Sequence, residues 1–183
     1  MGAMNNPKRF KSCPEKTTVW CGLWAGRIMD PYFFKTEAGR NITVNGDRYR
    51  AMITDYLIPE IEARGLDEIW FQQDGATCHT LRETVALLLE PFGEHLISRF
   101  GTVNWQAGSC DITPLDFFLW GYVKSKVYID KPATIKALEA NITRVIGQIP
   151  LEILIRVIED WNYRMDVVNR SRGQHLKEII FKK

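Results

Sequence analysis

Apolar positions change their spacing several times along the chain, and each change marks an element. Residues 18–34, "TVWCGLWAGRIMDPYFF", are dense in Trp, Phe, Val and Ile. Ala25-Gly26-Arg27 interrupts the run, so the pattern predicts a hairpin of strands 18–24 and 27–34. Within "DRYRAMITDYLIPEIEARG", the residues Tyr49, Met52, Ile53, Tyr56, Leu57 and Ile61 recur at helical spacing. Gly65 stops that helix, and Pro59 is expected to kink it. A strand is expected over 68–73, a helix over 79–91 and a second short strand in "HLISRF". A loop from Asn104 to Cys110 leads to "DITPLDFFLWGYVKSKVY", where Thr113 fits an N-cap, Pro114 the first helical position and Asp116 the third. Two long helices follow, over 133–149 and 151–168. Ile135, Leu138, Ile142, Val145 and Ile149 stripe the first, and Leu154, Ile158, Trp161 and Met165 the second, as packing faces do.

This order mixes antiparallel and parallel elements and predicts an α/β fold, a mixed sheet flanked by helices. In such sheets ligands gather at the carboxyl ends of parallel strands. The strand "IWFQQ" ends in Asp74, so the position matters. Residues 5–17, "NNPKRFKSCPEKT", are polar, basic and broken by prolines, and read as a loop or loose edge strand.

A length of 183 residues suits one domain with a sizeable core. The opening Met1-Gly2-Ala3-Met4 reads as a start codon plus a cleavage scar, which leaves 5–183 as the domain. The net charge of +2 rules out a polycation, so any nucleic-acid contact must come from a local patch. Lys8, Arg9, Lys11, Lys124 and Lys126, with Lys182 and Lys183 in the tail, are the candidates; solvated surface is the ordinary role of such clusters. Cys13, Cys21, Cys78 and Cys110 form no C-x-x-C pair, which argues against a zinc site and for reduced intracellular thiols. No apolar run reaches the roughly 18 residues of a membrane span.

Two carboxylates carry the candidate chemistry. Magnesium takes oxygen ligands, usually one or two carboxylates with waters and phosphate. Such ions activate a nucleophile and stabilise a leaving oxygen in phosphodiester cleavage. A strand-end Asp and an Asp in the first turn of a later helix can meet at one spot, and Asp74 and Asp116 are such a pair. Both also have ordinary readings: Asp74-Gly75 as a turn, and Asp116 as a first-turn residue that favours the helix dipole. Asp111 lies near the same helix start, where turn formation is its ordinary role.

"WFQQDGATCHT" and "CDITPLDFFLWGYVKSKVY" resemble the second and third catalytic blocks of mariner-like transposases, cut-and-paste DNA transposases with an RNase H-like core. "VWCGLWAG", "PYFF", "VNGDRYRAM" and "RGQHLKEIIFKK" are similar to the insect-type branch, so the resemblance runs from about residue 5 to 183. It implies that Asp74 and Asp116 are the second and third acidic residues of a catalytic triad that holds magnesium or manganese. It implies a DNA substrate, namely transposon ends, together with a homodimeric complex, no membrane and a nuclear location. His79 matches a histidine that follows the second Asp, and capping the next helix is its expected role.

The departures from the family matter as much. The first catalytic Asp of the family lies on a strand upstream of the "PKR" stretch, and the reading expects that strand, and the family's helix-turn-helix modules, to be lacking here. Only two of three metal ligands are then supplied. The hairpin and the strand ending at Asp74 would share a gap, for which self-association or a fold-back of residues 5–13 is the expected remedy. "NWQAGSCDITPLD" also departs from the usual "NWPPRSCDLTPLD", with Gly108 where the family pattern has an arginine suited to a phosphate contact. Two functions stay open: a catalytic core fragment that cuts and joins DNA, and a non-catalytic descendant serving as a DNA-binding or assembly module.

Overall fold

The hydrophobic hairpin forms a middle layer. A computed structural model of the chain describes residues 16–24, 27–105 and 110–170. In it Val19–Trp20 (β1) pairs antiparallel with Tyr32–Phe33 (β4), and Leu23–Trp24 (β2) with Arg27–Ile28 (β3). The register slips by one residue between the two ladders: Val19 faces Phe33, but Leu23 faces Ile28. The extra residue makes a bulge around Asp30 and Pro31, where proline's missing N–H costs the ladder nothing. The strands expected over 18–24 and 27–34 are therefore one hairpin broken by a bulge; its tip, 25–26, lies outside the described residues.

Successive strand residues point to opposite faces, and here both faces are covered. Trp20, Trp24, Met29, Tyr32 and Phe34 pack into one apolar cluster, with Tyr49, Met52, Ile53, Leu57 and Leu88. Val19, Cys21, Leu23, Ile28 and Phe33 pack into a second, with Leu119, Val123, Val145 and Leu154. The two tryptophans are half-buried against the first cluster.

The first helical layer begins with Gly46–Met52 (α1), capped by the Asn45 side chain, which accepts from the Arg48 N–H at 2.9 Å. A π turn over Ile53–Leu57 then leads into Ile58–Ala63 (α2). Pro59 explains the wider turn. It has no N–H, and its ring crowds the carbonyl one turn back, so the ladder opens just ahead of it. Gly65 follows with φ 61°, which suits glycine at a helix end. Arg82–Phe92 (α3) starts three residues later than expected and completes this layer.

The second sheet is parallel throughout, in the order Phe71–Gln72 (β5), Leu96–Ser98 (β6), Val103–Asn104 (β7). Phe71 stacks on Phe92 of α3 at 4.8 Å between ring centres. β7 falls where a loop was expected. Only residues 99–102 connect it to β6, and the return is so tight that a Cβ on Gly101 would come within 2.8 Å of the Leu96 carbonyl oxygen. Among the described residues β5 pairs on one side only, with β6, and shares no pairing with the hairpin.

The second helical layer holds a π turn over Leu115–Leu119, then Trp120–Val127 (α4), Ile135–Gly147 (α5) and Leu151–Arg170 (α6). On α5 the expected stripe is the packed one. On α6 the buried positions are Leu154, Val157 and Arg164, with Ile158, Trp161 and Met165 half-buried beside them. Glu139 of α5 is buried. Lys35 donates to it at 2.5 Å, and so does the Thr17 hydroxyl at 3.3 Å, which ties the hairpin layer to α5. The architecture is the mixed α/β fold flanked by helices that the sequence predicts, with its antiparallel and parallel ladders separate among the described residues. No described helix is long and apolar enough to cross a membrane.

Candidate active site

Asp74 follows β5 directly, at the carboxyl end of the parallel sheet. What holds it there begins one residue earlier. Gln73 continues the ladder, its N–H donating to the Ile97 carbonyl at 3.0 Å, and its side chain turns inward, 5 % exposed. That inward amide uses both ends. Oε1 accepts from the Tyr49 hydroxyl at 3.0 Å, and Nε2 donates to the Ser98 hydroxyl and to the His79 carbonyl, each at 3.0 Å. One buried amide therefore joins α1, β5, β6 and the loop after Asp74. An unpaired amide there would cost free energy, so the network specifies a single arrangement.

His79 completes the turn. Its ring lies against the Tyr49 ring, 4.3 Å between centres, and its Nδ1 is 2.5 Å from Asp74 Oδ1. The Ala76 N–H donates to the same oxygen at 2.9 Å, the Asx-type turn that Asp-Gly forecasts. The bond from His79, with help from the Ala76 N–H, holds the Asp74 carboxyl below the usual aspartate value, although partial burial works the other way. An ionised carboxylate only accepts, so Nδ1 of His79 carries the shared proton. The expected capping role of His79 is thus replaced. The helix N-cap is Leu81, with no side-chain cap bond, and the histidine serves Asp74 instead. Both contacts fall on Oδ1; among the described residues Oδ2 accepts no hydrogen bond.

Asp116 is positioned differently. The Thr113 carbonyl accepts from the Asp116 N–H at 2.9 Å and from the Phe117 N–H at 3.1 Å, which starts the helix at Pro114 as the sequence predicts. The π turn over 115–119 follows at once, a feature often found at functional sites. The side chain is exposed, and its carboxylate accepts no hydrogen bond among the described residues. Burial of part of the group raises its pKa, and the charge of Asp74 raises it further. The charge of Asp74, far away in the sequence, therefore reaches Asp116 in the fold. They belong to different layers: Asp74 is anchored to the first apolar cluster, Asp116 to the helix whose Leu119 and Val123 lie in the second.

The chain is similar to a solved transposase. It aligns with the Mos1 transposase, solved as a paired-end complex with the left transposon end, at a TM-score of 0.73 and 18% identity. The match covers 97% of this chain and 48% of the Mos1 chain, so the chain spans about half of that protein's length. No family model and no curated protein matches the sequence. At this identity the likeness to Mos1 is one of fold.

The donor chemistry at Asp74 and Asp116 fits a hard divalent ion: among the described residues Oδ2 of Asp74 and both carboxylate oxygens of Asp116 accept no hydrogen bond. No group of three or more His, Cys, Asp or Glu side chains suited to a metal occurs among the described residues. Of the basic candidates, Lys124 and Lys126 are exposed on α4, and Lys126 Nζ lies 5.9 Å from the centre of the Tyr122 ring. Lys8, Arg9, Lys11, Lys182, Lys183 and Gly108 lie outside the described residues. Sequence reasoning did not single out Gln73, or Arg164 of α6. Gln73 falls two positions after the buried Phe71, the spacing that puts it on the same strand face. Arg164 falls three positions after Trp161 on the packed stripe of a helix.

Proposed function

We propose that the chain is catalytic core from a mariner-like DNA transposase, whose Asp74 and Asp116 hold a magnesium or manganese ion for DNA strand cleavage and transfer. The observation that carries the reading is the placement of Asp74 past the carboxyl end of a parallel strand and of Asp116 at the start of a helix, with the charge of Asp74 reaching Asp116. The Mos1-like fold supports it. A bound divalent ion would supply Lewis-acid polarisation of a phosphodiester and a more acidic water. Asp74 would offer Oδ2, because Oδ1 is held by His79 and Ala76. His79 would keep that carboxylate ionised and fixed in orientation, as outer-shell partners of ligands do. Asp116 would offer a carboxylate that no hydrogen bond restrains. DNA as partner, with exposed Lys124 and Lys126 on its approach, a working pair of chains and action in the nucleus belong to the same reading.

A second reading has its own support. Only two acidic ligands come into play among the described residues, and two-metal chemistry generally needs more. The chain would then be a DNA-binding or assembly module that keeps the fold without the chemistry. Manganese titration followed by electron paramagnetic resonance, with plasmid nicking in parallel, separates the two. The catalytic reading expects manganese binding lost in Asp74→Asn and in Asp116→Asn, and nicking that disappears with them. Manganese binding without nicking favours the module. Binding that ignores both substitutions defeats the metal site.

A further inference from the structure

Arg164 sits where a helix stripe calls for an apolar residue, and it is 2 % exposed. A buried guanidinium is tolerated only when its charge and its N–H groups are met. Its Nε donates to Asp160 one turn back, at 2.6 Å. Its Nη1 donates to the Asp111 carbonyl at 2.8 Å. The guanidinium plane lies over the Phe117 ring, 4.1 Å from its centre, well inside cation–π range. Asp111 precedes Asp116 in the chain, and Phe117 follows it directly. The side chain therefore grips the turn on both sides of Asp116, from a helix distant in sequence.

We infer that Arg164 is the positioning residue for Asp116: it fixes the 111–117 segment so that the carboxylate is presented toward Asp74. The inference rests on the metal-site reading for its functional consequence, but not for its geometry. Among the described residues the Asp116 carboxylate has no hydrogen bond of its own to orient it, so its direction depends on how the backbone around it is held. Asp74 needs no such help, because Gln73 and His79 hold it locally. A planar fork that bonds a carbonyl and stacks on a ring at once is a task for arginine; a lysine ammonium keeps the charge without the plane. The ion pair to Asp160 offsets the buried charge and holds the guanidinium toward the turn.

Amide hydrogen exchange and manganese affinity, measured on the full chain, test this separately. In Arg164→Met the amides of Asp116 and Phe117 should exchange at least tenfold faster, while those of β5 and β6 keep their rates. In the same variant manganese affinity should fall by about ten- to a hundredfold, the usual loss for an outer-shell partner. Arg164→Lys should restore part of it. If Arg164→Met does not fold, Phe117→Leu removes only the ring beneath the guanidinium and should give a smaller change of the same kind. Unchanged exchange at Asp116 in a folded variant overturns the inference. So does an unchanged manganese affinity in Arg164→Met when the unsubstituted chain binds the ion through Asp74 and Asp116. If the unsubstituted chain binds manganese without regard to Asp74 or Asp116, the metal reading fails, and the exchange rates alone decide the role of Arg164.

Discussion

Asp74 stands on a turn held by side-chain hydrogen bonds, whereas Asp116 stands at a helix start with a carboxylate that accepts no hydrogen bond among the described residues. The first is held by residues close in sequence or on adjacent elements: Gln73, His79, Ala76 and, through Gln73, Tyr49 and Ser98. The second is held by its backbone, gripped from α6. The fold lowers the pKa of one and raises that of the other. One carboxylate is therefore part of the folded structure, and the other is carried at some cost. That is the division expected of a site in which a fixed ligand and an unsatisfied one share a cation, because the cation supplies what the second lacks.

The largest effect should come from the anchor of the first. Gln73→Leu leaves the Tyr49 and Ser98 hydroxyls and the His79 carbonyl without their partner, and Tyr49 and Ser98 are fully buried. Stranded buried groups of this kind cost about 1–3 kcal/mol each, softened where a group finds another partner. We expect about 3 kcal/mol of stability lost in urea unfolding, with no gain in the m-value that would signal a changed unfolded state. A loss below about 1 kcal/mol would mean that the Asp74 turn does not depend on this amide, and the contrast between the two aspartates would shrink.

A cation should narrow the contrast. Manganese at ten times its dissociation constant should stabilise the chain by about 1.4 kcal/mol, the linkage value for one site. Either Asp74→Asn or Asp116→Asn should abolish that gain. Thermal unfolding at fixed pH, with and without the ion, reads it directly. A gain that survives in both variants places the ion elsewhere.

Removing the Asp74 charge should be milder. Its pKa is lowered in the fold, so its contribution is fully present above the unfolded value of about 3.9 and is lost as pH falls through the folded value. A charge-assisted hydrogen bond in a half-exposed setting, discounted for solvent screening, is worth about 1 kcal/mol. Asp74→Asn should therefore cost about that much at pH 7 and progressively less toward pH 2. A cost that does not vary with pH would show that the hydrogen-bonding shape of the side chain matters and its charge does not.

Much of this was legible in the sequence where local chemistry decides. The Asp-Gly turn, the Thr113-Pro114 helix start and the α5 stripe are set by residues next to one another. The hairpin was legible from its interrupted apolar run, but the covering of both its faces was not. Legibility failed where distant elements decide. β7 was missed because four residues rarely connect parallel strands, and only a glycine at 101 lets the chain return so closely. His79 was expected to cap a helix, since nothing in its neighbourhood showed that the Tyr49 ring and Asp74 would claim it. Arg164 was passed over because charge marks a helix position as exposed, and only the fold brings a carbonyl and an aromatic ring within its reach.

The smallest expected effect has the opposite sign, and it tests the comparison most sharply. Burial and the Asp74 charge raise the pKa of Asp116, so the folded state disfavours its ionised form relative to the unfolded chain. That penalty is absent below the unfolded value of about 3.9 and complete once pH exceeds the folded value. Asp116→Asn removes it. The variant should match the parent chain near pH 3 and exceed it at pH 7, by no more than about 0.5 kcal/mol given how exposed the side chain is. Asparagine keeps the size and the helix-start geometry, so a change in packing does not account for a gain that appears only at the higher pH. In Asp74→Asn the neighbouring charge is gone, and Asp116→Asn should then yield a smaller gain; the difference measures the repulsion between the two carboxylates. Full additivity of the two substitutions would mean that the carboxylates do not sense each other, and the shared site would lose its main support.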